Sequence, residues 1–188
     1  MTKPLTEMSL QELWQLFPIQ LTPHRPQWRD WYAEEARQLQ NLLRDYACSI
    51  AHIGSTAIPG IWAKPIIDIL IEVADKTALQ NAAAILTAHG YLQMSASANR
   101  ISLNKGYTPQ GFAERVFHIH LRLPDDHDEY EFRDYLQAHS DIAKQYEALK
   151  RSLWKRYEHD RDGYTAAKSD FIREITARAK AENQCRLP

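Results

Sequence analysis

The sequence predicts an α+β fold: a mixed β-sheet with flanking helices, followed by a C-terminal helical part. Two patterns lead to this. Residues 65–73 and 115–123 alternate with period two, as strands do. In the first, Ile67, Ile69 and Ile71 share one face and Asp68, Leu70 and Glu72 the other. In the second, Phe117, Ile119 and Leu121 oppose Val116, His118, His120 and Arg122. Helical periodicity dominates residues 27–46 and nearly everything after residue 130. At 188 residues the chain fits a single domain, 1–188.

Taken in order, Ser9 followed by Glu12 is a capping-box pattern and starts a short helix that Pro18 ends. Residues 19–26 read as extended. A long helix over 27–46 carries the stripe Trp28, Trp31, Tyr32, Leu39, Leu42, Leu43 and Tyr46, with the two tryptophans as core anchors. Strands follow over 48–53 and 65–73. A helix over 76–89 is closed by Gly90. Short strands are expected over 91–94 and 100–107, with Gly106 and Pro109-Gln110-Gly111 marking the turn beyond. The strand over 115–123 comes next, then a polar loop from Pro124 to Asp128. Three helices over 130–138, 141–157 and 163–180 complete the chain, and the polar tail after Lys180 is expected to fray.

The bulk numbers exclude several classes. A formal net charge of −1 argues against a general nucleic-acid coat or a membrane-surface protein. No run is long and apolar enough for a membrane span or signal peptide. Two cysteines, Cys48 and Cys185, give no disulfide framework, so a reducing cytoplasmic compartment is expected.

Chemistry gathers around residues 52–73. The turn Gly54-Ser55-Thr56-Ala57-Ile58-Pro59-Gly60 holds glycines and hydroxyls that suit an anion. Asp68 interrupts an aliphatic strand, and a carboxylate there needs a partner or a metal. Period two puts His118 and His120 on one face. If the two strands are neighbours, these rings meet Asp68, and an Asp with two His is a divalent-metal set. The bland alternatives are an ion pair of Asp68 with Lys64 or Arg122, and an internal polar network. Glu72, near its strand end, reads as a solvated acid rather than a ligand. Lys64 suits either an anion or solvent. Lys150 belongs to the run Lys150, Arg151, Lys155 and Arg156, which reads as a solvated helix face. Tyr164 and Lys168 share one side of the last helix, where packing explains the tyrosine and a phosphate contact is the sharper role for the lysine.

The segments His52–Ile61 and Lys64–Ile69, with Phe117–His120, Phe132–Leu136, Tyr146–Lys150 and Tyr164–Ile172, resemble the GrpB family of bacterial proteins from about Pro18 to Lys180. The resemblance implies a nucleotidyltransferase-like core over 18–124 and a helical part over 128–180. In the superfold typified by polymerase β, a Gly-Ser turn binds a triphosphate and acids on the next strand hold two divalent ions. Gly54, Ser55 and Asp68 match that pattern. The second acid falls on Leu70, and the third on the strand that here offers His118 and His120. Some such domains are joined to dephospho-CoA kinase, but this chain has no Gly-x-x-x-x-Gly-Lys-Ser/Thr loop. The expectation is a protein that binds a nucleotide or phosphorylated small molecule with Mg²⁺ or Mn²⁺, Zn²⁺ being the alternative. Gly54, Ser55, Thr56, Lys64, Lys150, Tyr164 and Lys168 would meet the phosphates. Asp68, His118 and His120 would hold the ion and serve transfer of a nucleoside monophosphate. The competing expectations are a non-catalytic module on a decayed fold, a single-metal hydrolase and an interaction protein.

Overall fold

The computed structural model describes residues 3–124, 126 and 128–186, the last two without their side chains. Expectations for Asp125, His127 and the Cys185 side chain lie outside the described residues. Helix α1 spans Leu10–Leu16 and α2 Gln27–Leu42. They are followed by β1, Ala47–Ile53, and β2, Ile67–Val73. Helix α3 covers Lys76–Ala88, and β3, β4 and β5 cover Leu92–Ala96, Arg100–Thr108 and Gly111–Arg122. Helices α4, Asp128–Ala138, α5, Ser140–Trp154, and α6, Arg161–Arg186, end the chain.

The capping box of α1 forms in both directions: Glu12 N donates to Ser9 Oγ at 3.2 Å, and Ser9 N donates to Glu12 Oε2 at 2.7 Å. Asp75 caps α3 by accepting from Ala78 N at 2.8 Å. The long helix expected over 27–46 stops at Leu42, and turns fill the four residues before β1. Among the described residues the tail stays helical rather than fraying. Helix α6 runs to Arg186 because Glu182 accepts from the Tyr135 hydroxyl at 3.2 Å and Asn183 donates to Glu131 at 2.6 Å.

The five strands form one mixed sheet in the order β1-β2-β5-β4-β3. The β2–β5 pair is parallel and the other pairs are antiparallel. Ile67, Ile69, Ile71, Phe117, Ile119 and Leu121 bury one face against Trp28, Leu39 and Leu43 of the α2 region and Leu79 and Leu86 of α3. Both tryptophans are core residues, as their spacing predicts.

The other face carries the polar strand positions. Helices α4–α6 lie beyond it and build a second cluster from Phe132, Leu136, Ala143, Tyr146 and Ile175. Ile58 and Ile61, in the connection between β1 and β2, join that cluster. Gly106 does not mark a turn beyond β4. It lies inside the strand at φ 91°, where an added Cβ would press on the Arg115 carbonyl. A register break there sets Lys105 against Phe117 but Tyr107 against Phe112.

Candidate functional site

The chain leaves β1 through Gly54 at φ 70° and ψ −172°. A Cβ at this position would run into the Asp68 carboxylate, so the glycine lets the turn close on β2. Ser55–Ala57 form one 3-10 turn. The Ser55 hydroxyl meets the hydroxyl of Tyr146. Thr56 is buried and faces inward: its hydroxyl donates to Ile66 O at 3.1 Å and lies 2.9 Å from His52 Nε2. Burial pushes His52 down to about 4, so the ring is neutral and Nε2–H is the donor to that hydroxyl. The Thr56 proton is therefore committed to the fold, which corrects its expected part as a donor to an anion.

Asp68 pairs in register with His118, and Leu70 with His120. His118 Nδ1 lies 3.2 Å from Asp68 Oδ1, and His120 Nε2 lies 3.4 Å from the same oxygen. Burial raises the Asp68 carboxyl, but hydrogen bonds and charge from the two histidines outweigh it and hold the group well below the usual carboxylate range. Burial lowers His118, with Asp68 opposing. One donor atom from each of the three residues falls within 4.8 Å of the other two. His120 Nδ1 is buried with no hydrogen-bond partner. Neither simple ion pair forms around Asp68: Arg122 lies 3.4 Å from Glu129, and Lys64 sits over the Tyr164 ring, 5.5 Å from its centroid. Glu72 is not grouped with the trio and accepts from Ser49 Oγ at 2.5 Å.

These residues face a cavity of about 540 Å³ between the sheet and helices α4–α6. Its wall brings together Gly54, Ser55, Asp68, His118 and His120. Lys64, Lys150, Tyr164 and Lys168 complete the set read from sequence, and Thr56 also borders it. Lys150 departs from the solvated face expected for its run. It is 2% exposed and donates to the Trp62 carbonyl, whereas Arg151, Lys155 and Arg156 are exposed. Burial pulls Lys64 and Lys150 down to about 7, with neighbouring cations adding to the effect. Burial takes Lys168 to about 8 against the pull of Asp68. Lys168 Nζ stands 4.2 Å from the Tyr164 centroid, and the Tyr164 hydroxyl is buried without a partner.

Three members of this wall or its backing escape the sequence reading. Arg161 opens α6 and adds a further cation to the wall. Tyr146, pushed up to about 12 by burial, looks from its spacing like a core residue. Tyr107 stands behind His118, with its hydroxyl 2.8 Å from Nε2. Gly106, isolated inside a strand pattern, was the available signal for the last, because such glycines mark bulges that redirect neighbouring side chains.

The sheet order, the Gly54 turn and the acid-bearing β2 define a protein of the nucleotidyltransferase-like fold. A solved structure of a Cid1 poly(U) polymerase mutant bound to MgATP shares it, with a TM-score of 0.50 over 69% of this chain and 45% of that one; at 12% identity this likeness concerns the fold alone. Within that class the chain belongs to the GrpB family, whose model, described as GrpB protein, matches residues 18–178. A UPF0157 protein of Pseudomonas aeruginosa is 37% identical over 166 residues, 87% of this chain and 68% of that protein. The crystal structure of the conserved protein GrpB from Enterococcus faecalis superimposes with a TM-score of 0.76 at 29% identity, covering 88% of this chain and 99% of the other.

Proposed function

We propose that the protein binds a phosphorylated small molecule, a nucleotide first among them, beside a single divalent ion held by Asp68, His118 and His120. One observation carries this reading: the three potential ligands share a cavity wall with Lys64, Lys150, Lys168 and Arg161. The wall carries five basic side chains, Lys64, Arg100, Lys150, Arg161 and Lys168, against the acids Asp68, Asp128 and Glu129, and that excess favours a ligand that brings negative charge.

The donor set fits an ion and narrows its identity. Two imidazoles and one carboxylate suit Mn²⁺ or Zn²⁺ better than Mg²⁺, which prefers oxygen ligands. A pair of ions does not fit, because Leu70 is fully buried where the superfold carries its second acid. An ion held by Asp68, His118 and His120 would supply Lewis-acid polarisation of a phosphoryl oxygen. The protein's own groups do the rest. The Gly54 turn lets the backbone approach, the Ser55 hydroxyl offers a hydrogen bond, and the lysines offset phosphate charge. Tyr107 fixes the His118 ring so that Nδ1 faces Asp68.

Calorimetric titration with Mn²⁺ or Zn²⁺, then with nucleotides, tests the reading. Stoichiometric ion uptake followed by nucleotide binding supports it, and absence of both rejects it. Buried Leu70 also favours a second reading, a binding module on a fold that has lost transfer chemistry. Labelled nucleoside triphosphate separates the two: binding without turnover identifies the module, and a transferred nucleoside monophosphate identifies the enzyme. Tightly held zinc with release of inorganic phosphate would indicate a single-metal hydrolase.

A further inference from the structure

Two helices reach the carbonyls of the connection between β1 and β2. On α4, Arg133 and Gln137 lie four residues apart and share a face. Arg133 donates to His52 O at 2.8 Å, and Gln137 donates to Ala57 O at 2.8 Å. On α5, Lys144 donates to Gly60 O at 2.7 Å, and Lys150 donates to the Trp62 carbonyl. Of these four described residues, Lys150 alone lines the cavity.

A trans peptide is planar, so holding a carbonyl on one side sends the next N–H to the other. The Ile58 N–H, which follows the carbonyl held by Gln137, donates to Ser55 O at 3.3 Å. Gln137 is thereby tied through a single peptide plane to the residue that offers its hydroxyl to the cavity. The Ala63 N–H, which follows the carbonyl held by Lys150, donates to Thr22 O at 3.0 Å.

Lys144 is fixed in the same way. Its side chain is 62% exposed, but Nζ also donates to Glu147 Oε2 at 2.9 Å, and Glu147 is buried. A buried carboxylate and a carbonyl hold the ammonium between them. That carbonyl belongs to Gly60, at φ 76°, where an added Cβ would meet nothing within 4 Å. The glycine serves backbone conformation rather than close packing, so the hold on this part of the connection comes from the lysine.

We propose that Gln137 and Lys144 are positioning residues of the phosphate site, holding the Gly54–Ser55 turn from outside through the carbonyls of Ala57 and Gly60. The proposal rests on the phosphate-binding reading above and adds two residues that act without touching the ligand.

The test is calorimetry with inorganic phosphate, and with ATP in Mn²⁺ buffer. Native protein is set beside Gln137→Met, Lys144→Gln, Lys144→Arg and Lys155→Gln. Gln137→Met removes a donor without changing charge. Lys155→Gln removes a charge from an exposed position just beyond α5 and serves as control. Gln137→Met and Lys144→Gln should weaken binding about tenfold, because a displaced Ser55 forfeits one hydrogen bond to a charged group. Their melting temperatures should stay near native, since both contacts are exposed. Lys144→Arg, which keeps a donor, and Lys155→Gln should bind as native protein does. In the free proteins the amide resonances of Ile58 and Ile61 should broaden in the two weakened variants, while those of β2 stay sharp. Native affinity in both Gln137→Met and Lys144→Gln overturns the positioning role and leaves the phosphate reading intact. Weaker binding with no change at Ile58 and Ile61 overturns it as well. Equal losses in Lys144→Gln and Lys155→Gln reduce Lys144 to a distant charge and overturn its part. Failure of native protein to bind either probe overturns the phosphate reading together with the role of Gln137 and Lys144.

Discussion

Asp68 and His118 face each other across the parallel β2–β5 pair, with His118 Nδ1 3.2 Å from Asp68 Oδ1. Because His120 reaches the same oxygen, one carboxylate organises both rings. An ion here would use Nδ1 of one histidine and Nε2 of the other. Asp68→Asn and His120→Ala should each abolish Mn²⁺ or Zn²⁺ uptake. In native protein, uptake should weaken as pH falls and protons compete for the imidazoles. Titration calorimetry checks both. If native protein takes up no stoichiometric ion and Asp68→Asn only lowers stability, the trio is an internal polar network.

Tyr107→Phe should lower metal affinity roughly 10–100-fold, the usual scale for loss of a hydrogen bond behind a metal-bound histidine. Thermal unfolding should change little, because the ring keeps its packing against Phe17 and Phe112. The check is a metal titration of the variant beside its melting curve. Unchanged affinity would remove Tyr107 from the site.

Gly54→Ala should lower stability by about 1–3 kcal/mol, the scale of a non-glycine residue held in a glycine-only backbone region. The added methyl would also push on Asp68. Ser55→Ala should instead leave most stability intact and weaken phosphate binding by about 1.5–3 kcal/mol, the worth of a hydrogen bond to a charged group. Denaturant midpoints and phosphate titrations on both variants distinguish the roles.

The depressed lysines give a pH signature. Lys64 and Lys150 sit near 7 in the folded protein against 10.5 for the free side chain. Between those values the unfolded chain binds more protons, so the contribution of these groups to stability rises with pH across that window. Lys64→Met should therefore stabilise the protein most at pH 7 and below, and less at pH 9. An anion entering the cavity favours the charged amines, so phosphate binding near pH 7 should take up protons and weaken above about pH 8, where Lys168 also loses its charge. Calorimetry in buffers of different ionisation enthalpy measures the uptake.

Much of this was legible in the sequence, for physical reasons. Period two made the faces of β2 and β5 plain, setting Asp68 on one face of its strand and His118 with His120 on one face of theirs; the β2–β5 pairing is what brings the three together. The lysines were harder. Lys150 sits in a basic run whose other members are exposed, and only packing by α4–α6 distinguishes it. Tyr107 and Arg161 reach the site through a register break and a helix start, neither of which follows from local periodicity. Helix α2 ended early because Leu43 and Tyr46 continue the apolar pattern in turns that lead into β1. Helix α6 ran on because its polar tail finds partners on α4, a tertiary effect.

Ile58 and Ile61 carry one more consequence. The connection that holds Gly54 and Ser55 leaves from the sheet, yet its apolar side chains are sunk among α4–α6. Energetically the turn belongs to the helices. Partial unfolding that releases those helices would dissolve the floor of the cavity together with its roof. The Ile58 amide, which donates to Ser55 O at 3.3 Å, should accordingly exchange with deuterium in the same cooperative step as α5 and α6, and separately from the protected centre of β2.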